Sequence, residues 1–221
     1  MDYYNQKTKT TASTLGILLA FGGMLNHGIF EVLQGNTPTN GFFIEAIGRS
    51  ERYWIHGTEA AFTIVPNFLI TGIIVIIISV AIMVWSAKFI HKRYGRRVFL
   101  ILLILLTLFG GGIGHIILFL PTWAYATRIN TSLSWWEKVL SEQLRKVFSK
   151  LWIYALLVTT ISWLIVMELG IFGYFPGQDN QDVILNILFI FLFLTVIIAN
   201  FTFICGFAKD IEERKLSFRN T

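Results

Sequence analysis

Pairs of histidine and glutamate flank one polar loop near the N-terminus of this chain. His27 and Glu31 lie at positions i and i+4, and His56 and Glu59 lie at i and i+3, so each pair would share one face of a helix. An apolar environment lets a carboxylic acid keep its proton near neutral pH, while a neutral imidazole accepts one. These residue types and spacings are therefore typical of a site for proton transfer.

A further candidate, His115, comes shortly after three consecutive glycines. We predict two carboxylates as acid/base groups and three histidines as their partners: Glu31, Glu59, His27, His56 and His115. Imidazole and carboxylate also suit zinc or iron, but the sequence contains no H-E-x-x-H motif. Metal binding is therefore left open, no cofactor-binding residue is indicated, and the cofactor is unknown.

The elements that must position these residues are membrane helices. Of the 221 residues, 55% are hydrophobic and 14% are charged, and the mean hydropathy is +0.65, whereas a soluble domain is far more polar. Five apolar runs, residues 11–33, 60–90, 98–120, 151–172 and 183–208, are close to or above the length of about 20 residues that crosses the hydrocarbon layer. Unbroken runs favour helices over a barrel. We predict an all-α polytopic bundle that forms a single membrane domain over residues 1–221.

Composition also excludes several classes of protein. The single cysteine, Cys205, rules out an intrachain disulfide and a cysteine metal cluster. The first run lacks the basic flank and cleavage site of a signal peptide, so we expect it to be retained. The net charge of +5 is explained by loops that face anionic lipid, and no nucleic-acid partner is expected.

Basic residues leave two topologies open. If all five runs span, the cluster at residues 88–97 lies outside the cell together with Lys7 and Lys9. If residues 98–120 instead enter the membrane and return, turning at the three glycines, only Arg49 and Arg52 stay outside. The positive-inside rule favours this re-entrant topology, although the length of the run favours a span. We prefer the re-entrant topology, with both termini in the cytoplasm and the His/Glu residues at the outer leaflet of the plasma membrane.

Three shorter elements are also expected. Residues 132–150 combine an apolar period near 3.6 with basic residues on the other faces, which is typical of an amphipathic helix in the cytoplasmic interface. Residues 42–47 are expected to form a short interfacial helix. A helix that begins at His56 and Glu59 would place four polar side chains in one stripe: Glu59, Thr63, Asn67 and Thr71.

The segment His27-Gly28-Ile29-Phe30-Glu31 resembles the emopamil-binding and sterol-isomerase-like membrane family in its H-x-x-x-E placement. In that family, His and Glu residues on small helical bundles handle protons beside a hydrophobic ligand. The resemblance implies chemistry of this kind, but it covers only these residues. No site assignment and no sterol substrate carries over from it.

Three classes of function follow from these features. The preferred one is isomerase- or hydrolase-like acid/base chemistry on a hydrophobic or lipid-like ligand at an outer-leaflet pocket. The alternatives are a proton- or ion-coupled transporter, whose route the polar stripe would line, and an accessory subunit in which the polar residues hold helices together. Expected partners are membrane lipids, a hydrophobic small molecule and another membrane protein.

Overall fold

Residues 4–219 form seven helices and one small β-hairpin. The computed structural model describes residues 4–219. The helices are α1 Gln6–Leu33, α2 Phe68–Lys88, α3 Gly95–Leu108, α4 Ile116–Ala126, α5 Ser134–Val139, α6 Glu142–Phe172 and α7 Gln181–Arg219, and the strands are β1 Phe43–Glu45 and β2 Ala60–Phe62. Within the described range α1, α2, α6 and α7 are long and apolar enough to cross a membrane. The prediction of a mostly helical, multi-pass membrane protein is confirmed.

The third apolar run does not form one long helix. Helix α3 ends at Leu108 and α4 begins at Ile116, and a glycine-rich turn over residues 109–115 separates them. The start of α3 and the end of α4 lie close together. Asn130, which follows α4, donates a side-chain hydrogen bond of 2.6 Å to the carbonyl of His91, which precedes α3. Helices α3 and α4 therefore form a helical hairpin that starts and finishes at the same end of the bundle.

Most basic residues gather at that end, which we call the basic end and define by residues 5–9, 88–97, 128–150 and 209–215. The backbone N–H of Asn5 donates to the carbonyl of Ile129 at 2.8 Å, which joins the start of α1 to the segment after α4. Arg145 at the start of α6 contacts Glu212 of α7 at 2.9 Å. The opposite end, where α1 finishes and α2 begins, holds the β-hairpin and is called the site end.

The segment between α1 and α2 differs from the sequence-based expectation. Residues 43–45 and 60–62 pair as antiparallel strands, with Ile44 opposite Ala61. Helix α2 begins only at Phe68, after Pro66, and Asn67 caps it by accepting a hydrogen bond from the Ile70 N–H at 3.1 Å. The predicted helix over residues 42–47 and the predicted helix through His56 and Glu59 are therefore wrong. The four-residue polar stripe does not form either.

Residues 132–150 are also organised differently. They form the short helix α5 and the first turns of α6, with a break at Leu140 and Ser141. Ser141 causes the restart, since its hydroxyl accepts a hydrogen bond from the Leu144 N–H at 3.4 Å. Two helices thus replace the single helix expected over residues 132–150. The 31 residues of α6 extend about 46 Å, so its basic first turns project beyond the apolar part.

Close contact between α1 and α2 fixes the geometry of the site end. A Cβ atom at Gly72 would lie only 2.6 Å from the carbonyl oxygen of Gly28. The two backbones therefore touch where neither residue has a side chain, as is common where membrane helices pack through small residues. This contact brings the last turns of α1 against the first turns of α2.

Candidate His/Glu site

Three of the five predicted residues come together at the site end. The Nε2 atom of His27 lies 3.1 Å from Oε2 of Glu59, and Nδ1 of His115 lies 3.8 Å from Oε1 of the same carboxylate. The two imidazole rings meet edge to face, with centroids 5.4 Å apart. One ligand atom from each residue lies within 4.8 Å of the other two. The site therefore consists of two imidazoles that converge on one carboxylate.

Helix α1 delivers His27 through an irregular turn. Residues Gly23–Ile29 are π-helical, whereas the segments before and after them are α-helical. A π-helical turn changes the angular position of the following side chains and is frequent at functional sites. Both His27 and Glu31 are completely buried. The H-x-x-x-E segment thus points into the bundle, as its spacing predicted, but on a helix wider than the α-helix assumed.

The glycine-rich turn of the helical hairpin delivers His115. Gly110 and Gly112 have φ angles of +110° and +89°, a region that only glycine adopts without strain. A Cβ atom at Gly112 would lie 2.4 Å from Nε2 of His27 and 2.7 Å from Nδ1 of His115. The bare backbone of Gly112 is therefore what lets the two nitrogen atoms face a common point.

Glu59 comes from the β1–β2 connection, which is anchored on the bundle. Trp54 in this connection is 5% exposed, and its indole N–H donates to the carbonyl of Gly170 at 3.2 Å. Glu59 accepts a hydrogen bond of 2.8 Å from the Gly114 N–H. Its side chain is 35% exposed, so it is the member of the cluster that water reaches.

Burial and neighbouring charges shift the pKa values of Glu59 and His115 in this cluster. Burial raises the pKa of Glu59, but the charges of His27 and His115 and the Gly114 N–H outweigh that effect and lower the pKa to about 2. Burial is the larger effect on His115 and lowers its pKa to about 4. At neutral pH the site therefore presents an ionised carboxylate beside a neutral imidazole of His115.

Several buried polar atoms at this site have no hydrogen-bond partner within residues 4–219. They are Nδ1 of His27, both ring nitrogens of His115 and both carboxylate oxygens of Glu31. Each unpartnered buried group costs about 1–3 kcal/mol, and a charged one costs more unless an opposite charge neutralises it. Glu31 faces Gly110, since a Cβ there would lie 2.8 Å from Oε1. A second buried carboxylate, that of Glu31, thus lies against the glycine-rich turn that carries His115.

The remaining predicted residue, His56, lies elsewhere. Its Nε2 atom is 2.9 Å from Oδ1 of Asp182 at the start of α7, and its ring packs edge-on against Trp54. His56 therefore ties the loop between α1 and α2 to the start of α7 instead of joining His27 and Glu59. Glu168, a further carboxylate near the end of α6, does not belong to the group of convergent ligand atoms either.

Some components of the site have only faint sequence signals. The three glycines were noticeable as helix breakers, but which of them has positive φ depends on the hairpin. The Gly114 N–H carries no sequence signal at all. Trp163, whose ring packs edge-on against His115 at 5.7 Å, resembled any other aromatic residue of an apolar run.

Comparison of the chain with protein-family models, with curated proteins and with solved structures finds no match. The resemblance of the H-x-x-x-E segment to the emopamil-binding and sterol-isomerase-like family is therefore not supported by any wider similarity.

Proposed function

We propose that this protein carries out acid/base chemistry, hydrolase- or isomerase-like, on a hydrophobic or lipid-like ligand at the site end of its helical bundle. One observation carries the proposal: two buried histidines converge on Glu59 at the point where the cluster reaches the surface. Buried ionisable groups in membrane proteins are costly and usually mark function. The groups assigned to the reaction are Glu59, His27 and His115, with Glu31 behind them.

The surroundings of Glu59 favour a ligand drawn from the membrane. Strand β2 follows Glu59 directly, and the adjoining surface exposes large apolar side chains. Phe42 is 63% exposed, Phe43 is 73% exposed and Ile64 is 49% exposed. Aromatic and aliphatic residues in such positions lie at the membrane interface. A lipid-like molecule held there would present its polar part to the His/Glu cluster.

The proposed orientation follows from charge. Within the described chain the basic end collects the Lys and Arg residues of four segments, while the loops of the site end carry Arg49 and Arg52. The positive-inside rule then assigns the basic end to the cytoplasm of the plasma membrane and the site end to the outer leaflet. In this arrangement α3 and α4 form a re-entrant hairpin, and its glycine-rich turn lies in protein contacts, as irregular backbone at membrane depth requires.

Transport has less support than chemistry. Buried hydroxyls of Thr71, Ser79 and Ser86 follow α2 from the site end toward the basic end. Successive members are about 10–12 Å apart along the helix, which is too far for direct proton transfer between them. The hydroxyls of Ser79 and Ser86 have no hydrogen-bond partner within residues 4–219, so no chain of hydrogen bonds follows α2.

The proposed chemistry is tested with defined lipids. The purified protein is reconstituted into vesicles of phosphatidylethanolamine and phosphatidylglycerol, and the lipids are followed over time by mass spectrometry. We expect conversion by the wild type and a rate lower by about 100-fold or more for Glu59→Gln. His56→Gln, which alters a histidine outside the cluster, serves as the control and should keep the wild-type rate. Unchanged lipids, or equal rates for wild type and Glu59→Gln, would contradict the proposal.

A further inference from the structure

The geometry points to a metal site: we propose that His27, Glu59 and His115 bind one divalent transition-metal ion of the zinc type. Two imidazoles and one carboxylate form a ligand set found in catalytic zinc sites. The ligand atoms of a tetrahedral zinc ion lie about 3.4 Å apart, given metal–ligand distances near 2.1 Å. Oε2 of Glu59 lies 3.1 Å from His27 and Oε1 lies 3.8 Å from His115, so one carboxylate oxygen faces each imidazole, and one ligand atom from each of the three residues lies within 4.8 Å of the other two.

The donor atoms also face the right way. Nε2 of His27 and Nδ1 of His115 both approach the position of a Cβ atom at Gly112, so their lone pairs converge from two different helices. His115 has no hydrogen-bond partner among the described residues at either nitrogen. A metal ion bound at Nδ1 would supply a partner that the protein itself does not provide.

The same ligand set has consequences for the proposed chemistry. Three protein ligands leave one position of a tetrahedral ion for water or for a ligand oxygen. The 35% exposure of Glu59 places that open side toward the surface. A catalytic role for the metal rests on the proposed function, but metal binding itself is measurable without any substrate.

The test uses zinc alone. Purified protein in detergent is stripped with a chelator, dialysed against Zn²⁺, and analysed for bound metal by mass spectrometry. We expect one zinc ion per wild-type chain and an affinity lower by about 100-fold or more for Glu59→Gln. His56→Gln, which keeps all proposed ligands, should bind like the wild type. Substituted Co²⁺ should give the visible absorption of a low-coordinate site in the wild type and in His56→Gln, but not in Glu59→Gln.

Two glycine-to-alanine variants distinguish crowding at the metal site from backbone strain. Gly112→Ala places a methyl group against both nitrogens, whereas Gly177→Ala, at a φ of +77°, meets no atom within 4 Å. Loss of zinc in the first variant alone is the expected result. Zinc absent from the wild type, or retained equally by Glu59→Gln and Gly112→Ala, would overturn the inference. Lipid conversion by a wild type that binds no zinc would overturn the metal site and leave the proposed function standing, and zinc binding without conversion would do the reverse.

Discussion

Asp210, near the end of α7, caps the first turn of α1 through Thr8. Its Oδ2 atom accepts hydrogen bonds from the Thr8 N–H at 2.9 Å and from the Thr8 hydroxyl at 2.7 Å, while Oδ1 accepts from the Lys7 N–H at 2.8 Å. The first N–H groups of a helix lack partners within the helix. A carboxylate from the far end of the chain therefore satisfies them.

We expect Asp210→Ala to lower the free energy of unfolding by about 2–3 kcal/mol, because it leaves buried donors of α1 without an acceptor. The measurement is thermal or detergent-induced unfolding of the purified protein. Asp179→Ala, at an exposed position of the α6–α7 loop, should change stability little. An equal loss in both variants would mean that the cap contributes nothing specific.

Gly72→Ala should destabilise the protein by about 1–3 kcal/mol, since the added methyl would meet backbone atoms of Gly28 and Val32 that cannot move aside. Gly170→Ala is the matched control in α6, where an added Cβ meets no atom within 4 Å. Alanine favours a helix over glycine, so this control should be neutral or slightly stabilising. The two unfolding midpoints should therefore move in opposite directions, and a parallel change would argue against close packing of α1 on α2.

Trp54→Ala should loosen the connection that carries Glu59. The indole is buried, donates to Gly170, and lies against Gly173, where an added Cβ would come within 2.3 Å of the ring. Removing a buried aromatic side chain costs about 3–5 kcal/mol. Hydrogen exchange should accelerate over residues 43–62 and remain slow in α7. Uniform acceleration along the chain would indicate global unfolding and would not support a local anchor.

The stability contribution of Glu59 should depend on pH. Because its pKa is lowered from 4.5 to about 2, ionised Glu59 stabilises the folded protein fully above about pH 4.5, and this contribution is lost as the pH falls toward 2. In metal-free protein, Glu59→Gln should therefore be less stable than the wild type near neutral pH. The difference between the two unfolding midpoints should shrink on acidification, and a difference that stays constant from neutral to acidic pH would contradict the assigned pKa.

The topology of the α3–α4 hairpin is tested by cysteine labelling. Cys205 is fully buried, so the wild type provides an unreactive background. An impermeant maleimide added to intact cells should label Asp179→Cys but neither Lys92→Cys nor Ser141→Cys, because the last two lie at the basic end. Labelling of only one of these two variants, Lys92→Cys or Ser141→Cys, would mean that residues 95–126 cross the membrane.

The helical class of the fold was predictable because apolar runs of this length have few alternatives in a membrane. The β-hairpin was not, since residues 60–62 are as apolar as the helix that follows them. Their assignment depends on Pro66 and the Asn67 cap, which move the start of α2 to Phe68. The composition of the run alone gives no sign of that boundary.

The site was predictable in part for a similar reason. His27, Glu31, Glu59 and His115 are ionisable residues in an apolar chain, so their types alone marked them. Local spacing suggested that His56 and Glu59 belong together, yet the extended backbone points them apart and gives His56 to Asp182. Which partner each of these residues contacts is decided by tertiary packing across the bundle, and local sequence spacing does not reveal it.

The helical hairpin also affects the direction in which the later helices run through the bundle. Helices α3 and α4 return the chain to the end of the bundle at which they received it, so this segment leaves the direction of every later helix unchanged. Deleting or duplicating α2, α6 or α7 would reverse the direction of whatever follows. Loss of the hairpin would remove His115 and preserve the orientation of the other helices, which makes this part of the site separable from the architecture around it.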